Sequence, residues 1–319
     1  MSLPAEFGLI ARHFAPLAGE GALGLGDDAA LLDPPPGRTL VLAADAMVAG
    51  VHFLPDDPPD AIARKLLRVN LSDLAAMGAV PLAYLVTTAF PRGVTQDWIA
   101  GFAAGLAADQ AEFGVALLGG DTVATDGPAC FSLTILGHVA PGTALRRLGA
   151  RVGDDAWVSG SIGDGALGLL ALTGRLPADA ELADRYRLPR PRLGLGQALV
   201  GLARAAMDVS DGLVQDFGHL ARAAGCGVEI RTGAVPLSGP ARAALAADPA
   251  LRARILTGGD DYELAFAADP ADADRVRAAG LAAGVPVARI GRFVAGEGVR
   301  VLDGAGESVQ LPGSGWSHF

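Results

Sequence analysis

The chain has 319 residues, a length typical of two domains, and 51% of them are hydrophobic. Its formal net charge of −10 disfavours sequence-independent binding of DNA or RNA, which needs a basic surface. No apolar run approaches the roughly 18 residues of a membrane span, and the chain does not open on the basic segment of a signal peptide, so we expect a cytoplasmic protein without a membrane partner. Cys130 and Cys226 lie far apart and outside any C-x-x-C spacing, so structural thiols are expected rather than a disulfide or a zinc site.

Strands and helices alternate along the whole chain, which predicts an α/β or α+β fold. The first half is predicted to contain, in order, a strand over 39–43, a helix capped by Asp60 and running to about Met77, a strand over 81–89, a helix capped by Thr95 and ending at Gly114, and strands over 115–118 and 131–139. Residues 140–143 are rich in Pro and Gly and form the most plausible hinge. They divide the chain into domains 1–140 and 141–319.

The second half continues the alternation. It is predicted to contain a strand over 156–159, a helix over 165–172, a helix over 193–205, a strand ending at Asp208, a helix ending at Ala224, a strand over 228–230, a strand over 262–267, a helix over 271–283 and a hairpin over 299–311.

Six short segments of the chain place an aspartate at or beside a turn. They are Gly26-Asp27-Asp28, Ala44-Asp45, Asn70-Leu71-Ser72-Asp73, Gly119-Gly120-Asp121-Thr122, Asp208-Val209-Ser210-Asp211-Gly212 and Gly258-Gly259-Asp260-Asp261. The chain has only one lysine, Lys65, and no G-x-x-x-x-G-K-[ST] phosphate-binding loop. If the protein handles phosphates, side-chain cations do not supply most of the positive charge, and magnesium held by carboxylates could supply it.

Asp73 continues the apolar stripe of the predicted helix over 60–77, where Ile62, Leu66 and Val69 precede it at helical spacing. A carboxylate that faces a core is costly unless it is paired or bound to a metal. Two interpretations remain open. Asp73 is a metal ligand, or it lies at the solvent-exposed end of the stripe and pairs with Arg64 or Lys65.

The turn segments allow similar alternatives. In the Gly119–Thr122 segment, two glycines permit close approach of a ligand to the backbone, and Asp121 would then stand at the carboxyl end of a strand. The same residues are also typical of ordinary turns. Asp208 and Asp211 lie three apart across a strand-to-helix turn, where both could reach one metal, or Ser210 or Asp211 could cap the helix.

One segment matches a dinucleotide-binding pattern. Residues 163–168 read G-x-G-x-x-G between a strand and a helix. A dinucleotide site also needs a second strand within a unit of about 30 residues. Polar, proline-interrupted sequence follows instead, so we do not expect NAD binding.

The aspartate segments occur in an order that resembles the thiamine-monophosphate kinase family over essentially the whole chain. The resemblance includes Gly50-Val51-His52-Phe53 after Asp45, Asp260-Asp261-Tyr262-Glu263-Leu264, and the ending Gly315-Trp316-Ser317-His318-Phe319. It implies a two-domain fold like that of aminoimidazole ribonucleotide synthetase, in which N-terminal domains pair across a homodimer into a β-barrel. It also implies ATP and thiamine monophosphate as substrates, several Mg²⁺ ions, and no protein nucleophile.

The resemblance further implies roles for individual residues. The implied magnesium ligands are Asp28, Asp45, Asp73, Asp121, Asp208 and Asp211. The implied ATP contacts are Gly120, Asp121, Arg147 and Ser210, and the implied thiamine phosphate contacts are His52, Asp260 and Trp316.

The chain departs from the family pattern at two of these positions. Ala43-Ala44 stand where the family usually has Ser/Thr-Thr before Asp45, so only the main-chain carbonyl of Ala44 is left there as a metal ligand. The family commonly has glutamate where this chain has Asp260, so a shorter side chain would contact the substrate. The competing functions are another ATP-using synthetase of the same superfamily and a non-catalytic metal- or nucleotide-binding protein.

Overall fold

A computed structural model describes residues 5–317, which form two compact units. Unit 1 comprises residues 5–74 and 80–141, and unit 2 comprises residues 75–79 and 142–317. Of the helices described, none combines the length and the apolar character needed to cross a membrane.

Unit 1 is a four-stranded sheet with two long helices. Its helices are α1 (Ala5–Leu9), α2 (Pro59–Ala76, whose last two residues belong to unit 2) and α3 (Gln96–Phe113), and its strands are β1 (Thr39–Val48), β2 (Val80–Pro91), β3 (Ala116–Thr125) and β4 (Cys130–Val139). The strand order is β1-β4-β2-β3, with β2 and β3 parallel and the other pairs antiparallel. Short π and 3-10 turns cover residues 10–17 and 20–25.

The core of unit 1 contains an aromatic cluster that joins α3 to the sheet. Phe102 lies 4.8 Å from Phe131 and 6.0 Å from Phe90, measured between ring centroids. Thr95 caps α3 by accepting a hydrogen bond from the amide of Trp98, as the sequence predicts. The helix ends where Gly114 adopts a left-handed conformation with φ of 66°, which glycine reaches without steric cost.

Unit 2 carries a six-stranded sheet and the remaining helices. Its strands are β5 (Asp155–Ser159), β6 (Ala203–Val209), β7 (Gly227–Arg231), β8 (Glu263–Ala268), β9 (Val287–Val294) and β10 (Gly298–Leu302). Its helices are α4 (Asp164–Leu172), α5 (Ala180–Arg187), α6 (Leu193–Ala198), α7 (Leu213–Ala224), α8 (Gly239–Ala247), α9 (Leu251–Thr257) and α10 (Ala273–Ala282). Single 3-10 turns cover residues 232–234 and 270–272.

The sheet of unit 2 has the order β10-β7-β9-β5-β8-β6, and all pairs except β10–β7 are antiparallel. Strands β5 and β8 are buried along their full length, because apolar clusters pack against both faces of the sheet. Phe217 of α7 is part of one cluster and Phe266 of β8 is part of the other.

Three details of the predicted elements are wrong. The helix predicted over 193–205 ends at Ala198, because the chain turns through Gly201, with φ of 78°, before β6 begins. Asp60 lies inside the first turn of α2 and is not its cap. Strand β3 continues to Thr125, so Asp121 lies within the strand and not at its end. Pairing with the long β2 extends β3 past the two glycines.

Candidate functional site

A cavity of about 520 Å³ in unit 1 contains three of the predicted site residues. Asp28, Gly120 and Asp121 line it, together with apolar side chains of the N-terminal segment and of strands β2 to β4. Both aspartates are exposed. The cavity therefore combines an apolar wall with carboxylates that remain accessible to a ligand.

Gly120 allows β3 to lie close to β2 beside this cavity. A Cβ at this position would lie 1.7 Å from the carbonyl oxygen of Val86, so no side chain fits there. The next residue, Asp121, accepts a hydrogen bond at its Oδ1 from the amide of Thr122 at 2.9 Å. Thr88 donates through Oγ1 to Oγ1 of Thr122 at 3.1 Å. These contacts fix the carboxylate without burying it.

Asp45 is held in β1 by a buried amide from α2. Its main-chain N–H donates to Oδ1 of Asn70 at 3.1 Å, and Nδ2 of Asn70 donates back to the carbonyl of Leu66 at 2.9 Å. Ser132 of β4 donates to the carbonyl oxygen of Asp45 at 3.2 Å. The side chain of Asp45 is exposed, and so is its neighbour Ala44.

Asp73 lies in α2, three residues beyond Asn70, and is half-buried. Ile62, Leu66 and Val69 are buried, so the apolar stripe predicted from the sequence is confirmed up to this carboxylate. Of the two bases considered as its partners, Arg64 binds Asp109 and Glu112.

The half-buried His52 lies in the turn that follows β1. Its Nδ1 accepts a hydrogen bond from the main-chain N–H of Val48 at 3.0 Å. Because Nδ1 is an acceptor, the proton of the neutral imidazole lies on Nε2. The ring N–H of His52 is therefore at Nε2 and not at Nδ1.

In unit 2, the end of β6 brings Asp208 next to the turn at Ser210 and Asp211. Asp208 is buried, whereas Ser210 and Asp211 are half-buried. Gly212 has φ of 125°, and a Cβ there would lie 2.8 Å from the main chain of Thr257. The turn thus needs glycine, and no side chain of the turn caps α7.

The carboxylate of Asp216, in the first turn of α7, binds back to the turn that precedes the helix. Its Oδ2 accepts hydrogen bonds from the main-chain N–H groups of Asp211 at 3.2 Å and Gly212 at 3.1 Å. Burial, reinforced by the charges of Asp208 and Asp211, raises the pKa of Asp216 from 3.8 to about 8. Oδ1 of Asp216 is buried and has no hydrogen-bond partner among the described residues.

A second turn packs against the first one. The main-chain N–H of Asp260 donates to the carbonyl of Ser210 at 2.9 Å, and that of Tyr262 donates to the carbonyl of Val209 at 2.8 Å. Asp260 and Tyr262 both have positive φ, at 71° and 51°. Such a strained pair persists only where its surroundings fix it, and here the neighbouring turn does so.

The tail of the chain closes on the Asp211 turn. The main-chain N–H of Trp316 donates to the carbonyl oxygen of Asp211 at 2.9 Å, and Nε2 of Gln215 donates to the carbonyl of Trp316 at 2.7 Å. The indole of Trp316 remains 49% exposed. Unit 2 therefore contains Asp208, Ser210 and Asp211 close to Asp260 and Trp316, which are two of the three predicted contacts to thiamine phosphate.

Arg147 is exposed in unit 2, and its charge reaches the helix that follows the Asp211 turn. Burial, together with the charges of Arg147 and Arg222, lowers the pKa of His219.

One cluster of possible metal ligands lies in unit 2. Ligand atoms of Asp211, Asp216 and His219 lie within 4.8 Å of one another, and within residues 5–317 this is the one group of three that meets this spacing. No three of the predicted unit 1 ligands approach one another this closely in the part of the chain described.

Two residues at this site are absent from the sequence predictions. Asp216 lies on the buried face of α7 between Leu213 and Leu220, and this interruption of an apolar stripe is the same signal that identifies Asp73. Asn70 is completely buried on α2, and a buried amide that faces a neighbouring strand indicates a backbone anchor.

Comparisons with known proteins agree with this architecture. The model of the AIR synthase related protein N-terminal domain matches residues 26–139, and that of the C-terminal domain matches residues 151–304. A thiamine-monophosphate kinase of Caulobacter vibrioides is 48% identical over 321 residues, covering 99% of this chain and 91% of that protein.

Two solved structures are similar over nearly the whole chain. The thiamine-monophosphate kinase of Stenotrophomonas maltophilia has a TM-score of 0.84 and 41% identity, covering 96% of this chain and 98% of that one. AaThiL complexed with AMPPCP and TMP has a TM-score of 0.79 and 30% identity, covering 100% of this chain and 99% of that one.

Proposed function

The chain belongs to the thiamine-monophosphate kinase family of AIR synthase related proteins, and from this premise we propose that it transfers the γ-phosphoryl group of ATP to thiamine monophosphate. The products are thiamine diphosphate and ADP. A relative has been solved with AMPPCP and TMP, which supports ATP and thiamine monophosphate as the two substrates.

One observation carries the proposal on the structural side. The cavity of unit 1 combines exposed carboxylates with a glycine that no other residue can replace, and the single lysine of the chain is not among its lining residues. Acidic side chains repel a polyphosphate unless a divalent cation lies between them. The proposed ligands are all oxygen atoms, with carboxylates as the only side-chain donors, and this set fits Mg²⁺ rather than a softer metal.

The residues that would hold magnesium are found on both units. Unit 1 would use Asp28, Asp45, Asp73, Asp121 and the main-chain carbonyl of Ala44, and unit 2 would use Asp208 and Asp211. When bound, magnesium would neutralise phosphate oxygens and align them for in-line transfer.

The chain's own donors would orient the two substrates. Arg147 and the hydroxyl of Ser210 would contact ATP, and Gly120 would let its phosphates approach the main chain. On the acceptor side, the Nε2–H of His52, the carboxylate of Asp260 and the indole of Trp316 would contact thiamine monophosphate.

The acceptor is a phosphate that is already ionised at neutral pH, so the reaction needs no general base. Its oxygen bonds to the γ-phosphorus while the bond from that phosphorus to the β-bridging oxygen breaks. Positioning and charge neutralisation then supply the rate enhancement.

We propose in addition that domain 1–140 binds ATP and magnesium and pairs with a second copy of the chain. Leu42 of β1, Leu85 of β2 and Val123 of β3 share one face of the sheet and are 62%, 40% and 47% exposed. Exposed large apolar side chains on one face of a sheet favour an interface there. The double variant Leu42→Glu and Val123→Glu is expected to be a monomer by analytical ultracentrifugation, and an unchanged mass would count against this face.

The activity is tested by incubating the purified protein with ATP, Mg²⁺ and thiamine monophosphate and separating the products. Thiamine diphosphate and ADP should form in equal amounts, and omission of either Mg²⁺ or thiamine monophosphate should stop ADP release. Binding of both substrates without turnover would favour a non-catalytic nucleotide-binding protein. ADP release that does not depend on thiamine monophosphate would favour another ATP-using synthetase.

A further inference from the structure

The single lysine of the chain is a buried residue close to a proposed substrate contact. Lys65 lies in α2 and is only 2% exposed. The other 24 of the 25 lysine and arginine residues are arginines. A buried ammonium is costly unless strong hydrogen bonds compensate for its lost hydration. The buried Lys65 is therefore expected to have a specific role.

Lys65 makes a charge-assisted hydrogen bond to the main chain of His52. Its Nζ donates to the carbonyl oxygen of His52 at 2.9 Å. The neighbouring bases on the helix serve another purpose, because Arg64 and Arg68 both bind the buried carboxylate of Asp109. Lys65 differs from them by contacting the turn after β1.

That turn is fixed on several sides around His52. The main-chain N–H of His52 donates to the carbonyl of Val48 at 3.0 Å, and Val48 donates in return to Nδ1 of the imidazole. The amide of Leu54 donates to Oδ2 of the buried Asp57 at 2.9 Å. With Nδ1 engaged, the direction of the Nε2–H depends on the main chain of His52, which Lys65 contacts.

The side-chain chemistry explains why lysine fits this place. An ammonium is compact and can donate to a single carbonyl oxygen in a closed space, whereas a guanidinium is a wide planar fork suited to carboxylates. An apolar side chain of similar length would fill the space without holding the carbonyl.

We propose that Lys65 is a positioning residue for recognition of thiamine monophosphate, acting through His52. Its ammonium fixes the carbonyl of His52 and thereby aims the Nε2–H at the substrate. This inference rests on the proposed function, because it assumes that His52 contacts thiamine monophosphate.

The first test uses the unaltered protein. Because the chain has one lysine, labelling with lysine carrying ¹⁵N at Nζ gives a single side-chain ammonium resonance. Thiamine monophosphate added without ATP should shift this resonance, and a magnesium–ATP analogue added alone should leave it in place. A resonance that thiamine monophosphate does not move would overturn the inference.

The second test separates positioning from general structure. Lys65→Met should raise KM for thiamine monophosphate by about tenfold, as expected for one lost hydrogen bond, and leave KM for ATP unchanged. Arg64→Met removes a neighbouring charge from the same helix and should change neither KM. In a His52→Ala background, Lys65→Met should have no further effect on KM for thiamine monophosphate, and an additive effect would contradict the proposal.

The outcomes distinguish the two hypotheses. If the unaltered protein makes no thiamine diphosphate, the proposed function fails. If it does so, and KM for thiamine monophosphate is the same in Lys65→Met, only the role of Lys65 fails. If Lys65→Met does not fold, the shift of the ammonium resonance in the unaltered protein tests the role of Lys65.

Discussion

The carboxylate of Asp261 accepts hydrogen bonds from the main-chain amides of both Gly163 and Gly165, at 2.8 Å and 3.2 Å. These amides open helix α4, within the segment whose glycines match a dinucleotide-binding pattern. A phosphate at a helix N-terminus would need the same donors. An internal carboxylate therefore occupies the position at which a dinucleotide phosphate would bind.

Asp261→Ala is expected to destabilise the protein. Asp261 is buried, and its removal leaves the N–H groups of Gly163 and Gly165 without an acceptor. Each such loss costs about 1–3 kcal/mol, so the free energy of unfolding should fall by about 2–6 kcal/mol in urea titrations. Burial also raises the pKa of this carboxyl well above 3.8. Asp261→Asn keeps one acceptor oxygen in a neutral side chain and should cost clearly less.

Asp179 provides a matched comparison for this prediction. It caps α5 by accepting a single hydrogen bond from the amide of Leu182, and it is only half-buried. Asp179→Ala should cost about 1 kcal/mol, as usual for one helix cap. Equal losses for Asp179→Ala and Asp261→Ala would show that the second hydrogen bond and the deeper burial of Asp261 contribute nothing.

Asp73→Asn and Asp121→Asn are each expected to lower kcat at least about a hundredfold while the protein stays folded. Both side chains are proposed magnesium ligands, and losing several kcal/mol of charge stabilisation slows transfer by this order. The measurement is thiamine diphosphate formation at saturating ATP and Mg²⁺, with thermal melting as the test of folding. Full activity in both variants would contradict the metal-cluster account.

Asp126→Asn is the control for these variants. Asp126 lies in the same unit and makes an exposed ion pair with Arg92, which is 70% exposed. Exposed pairs contribute little to stability, so both kcat and the melting temperature should stay unchanged. A comparable loss of kcat in Asp126→Asn would mean that replacing any acidic side chain of unit 1 lowers kcat.

The sequence predicts many of the helices and strands because local signals dominate there, although α5, α8, α9 and β9 are missed. Thr95 and Gly114 delimit α3 through capping chemistry, which depends only on neighbouring residues. The place of Asp73 at the end of a buried apolar stripe is also predicted, because helical spacing alone determines it. The extension of β3 past Gly120 is missed because pairing with β2, a tertiary contact, overrides the turn tendency of two glycines.

The other differences come from contacts that no local pattern specifies. The sequence offers Ser210 and Asp211 as caps of α7, and it does not indicate that Asp216 binds the main chain of the turn before the helix. The partner of the α4 amides is Asp261, almost a hundred residues away, and no local pattern identifies it.

Gln215→Ala should weaken the binding of thiamine monophosphate. Nε2 of Gln215 donates to the carbonyl of Trp316 at 2.7 Å and to Oδ2 of Asp211 at 3.3 Å, so this side chain joins the tail to the Asp211 turn. KM for thiamine monophosphate should rise by about three- to tenfold, the range expected when one or two exposed hydrogen bonds are lost. Gln310→Ala, at an exposed position of the same tail, should leave KM unchanged. Equal KM values in the two variants would exclude Gln215 as the link.

Asp216 is expected to make stability fall as pH rises. Burial first, and then the charges of Asp208 and Asp211, raise the pKa of Asp216 from 3.8 to about 8 in the folded protein. The unfolded chain releases this proton near pH 4, whereas the folded protein keeps it until about pH 8. Because the folded state binds more protons between these values, the free energy of unfolding declines with rising pH, at up to about 1.4 kcal/mol per pH unit from this group alone.

Asp216→Asn removes this dependence because an amide does not titrate in this range. Urea unfolding of both proteins in EDTA at pH 5, 6, 7 and 8 should show the unaltered protein losing stability relative to the variant with each step. His219 lies in the same cluster but is present in both proteins, so its titration cancels to first order in the comparison. Added Mg²⁺ should reduce the difference, since a cation near Asp208 and Asp211 offsets their repulsion of a charged Asp216. Parallel stability curves in EDTA would show that Asp216 is ionised in the folded protein throughout this range.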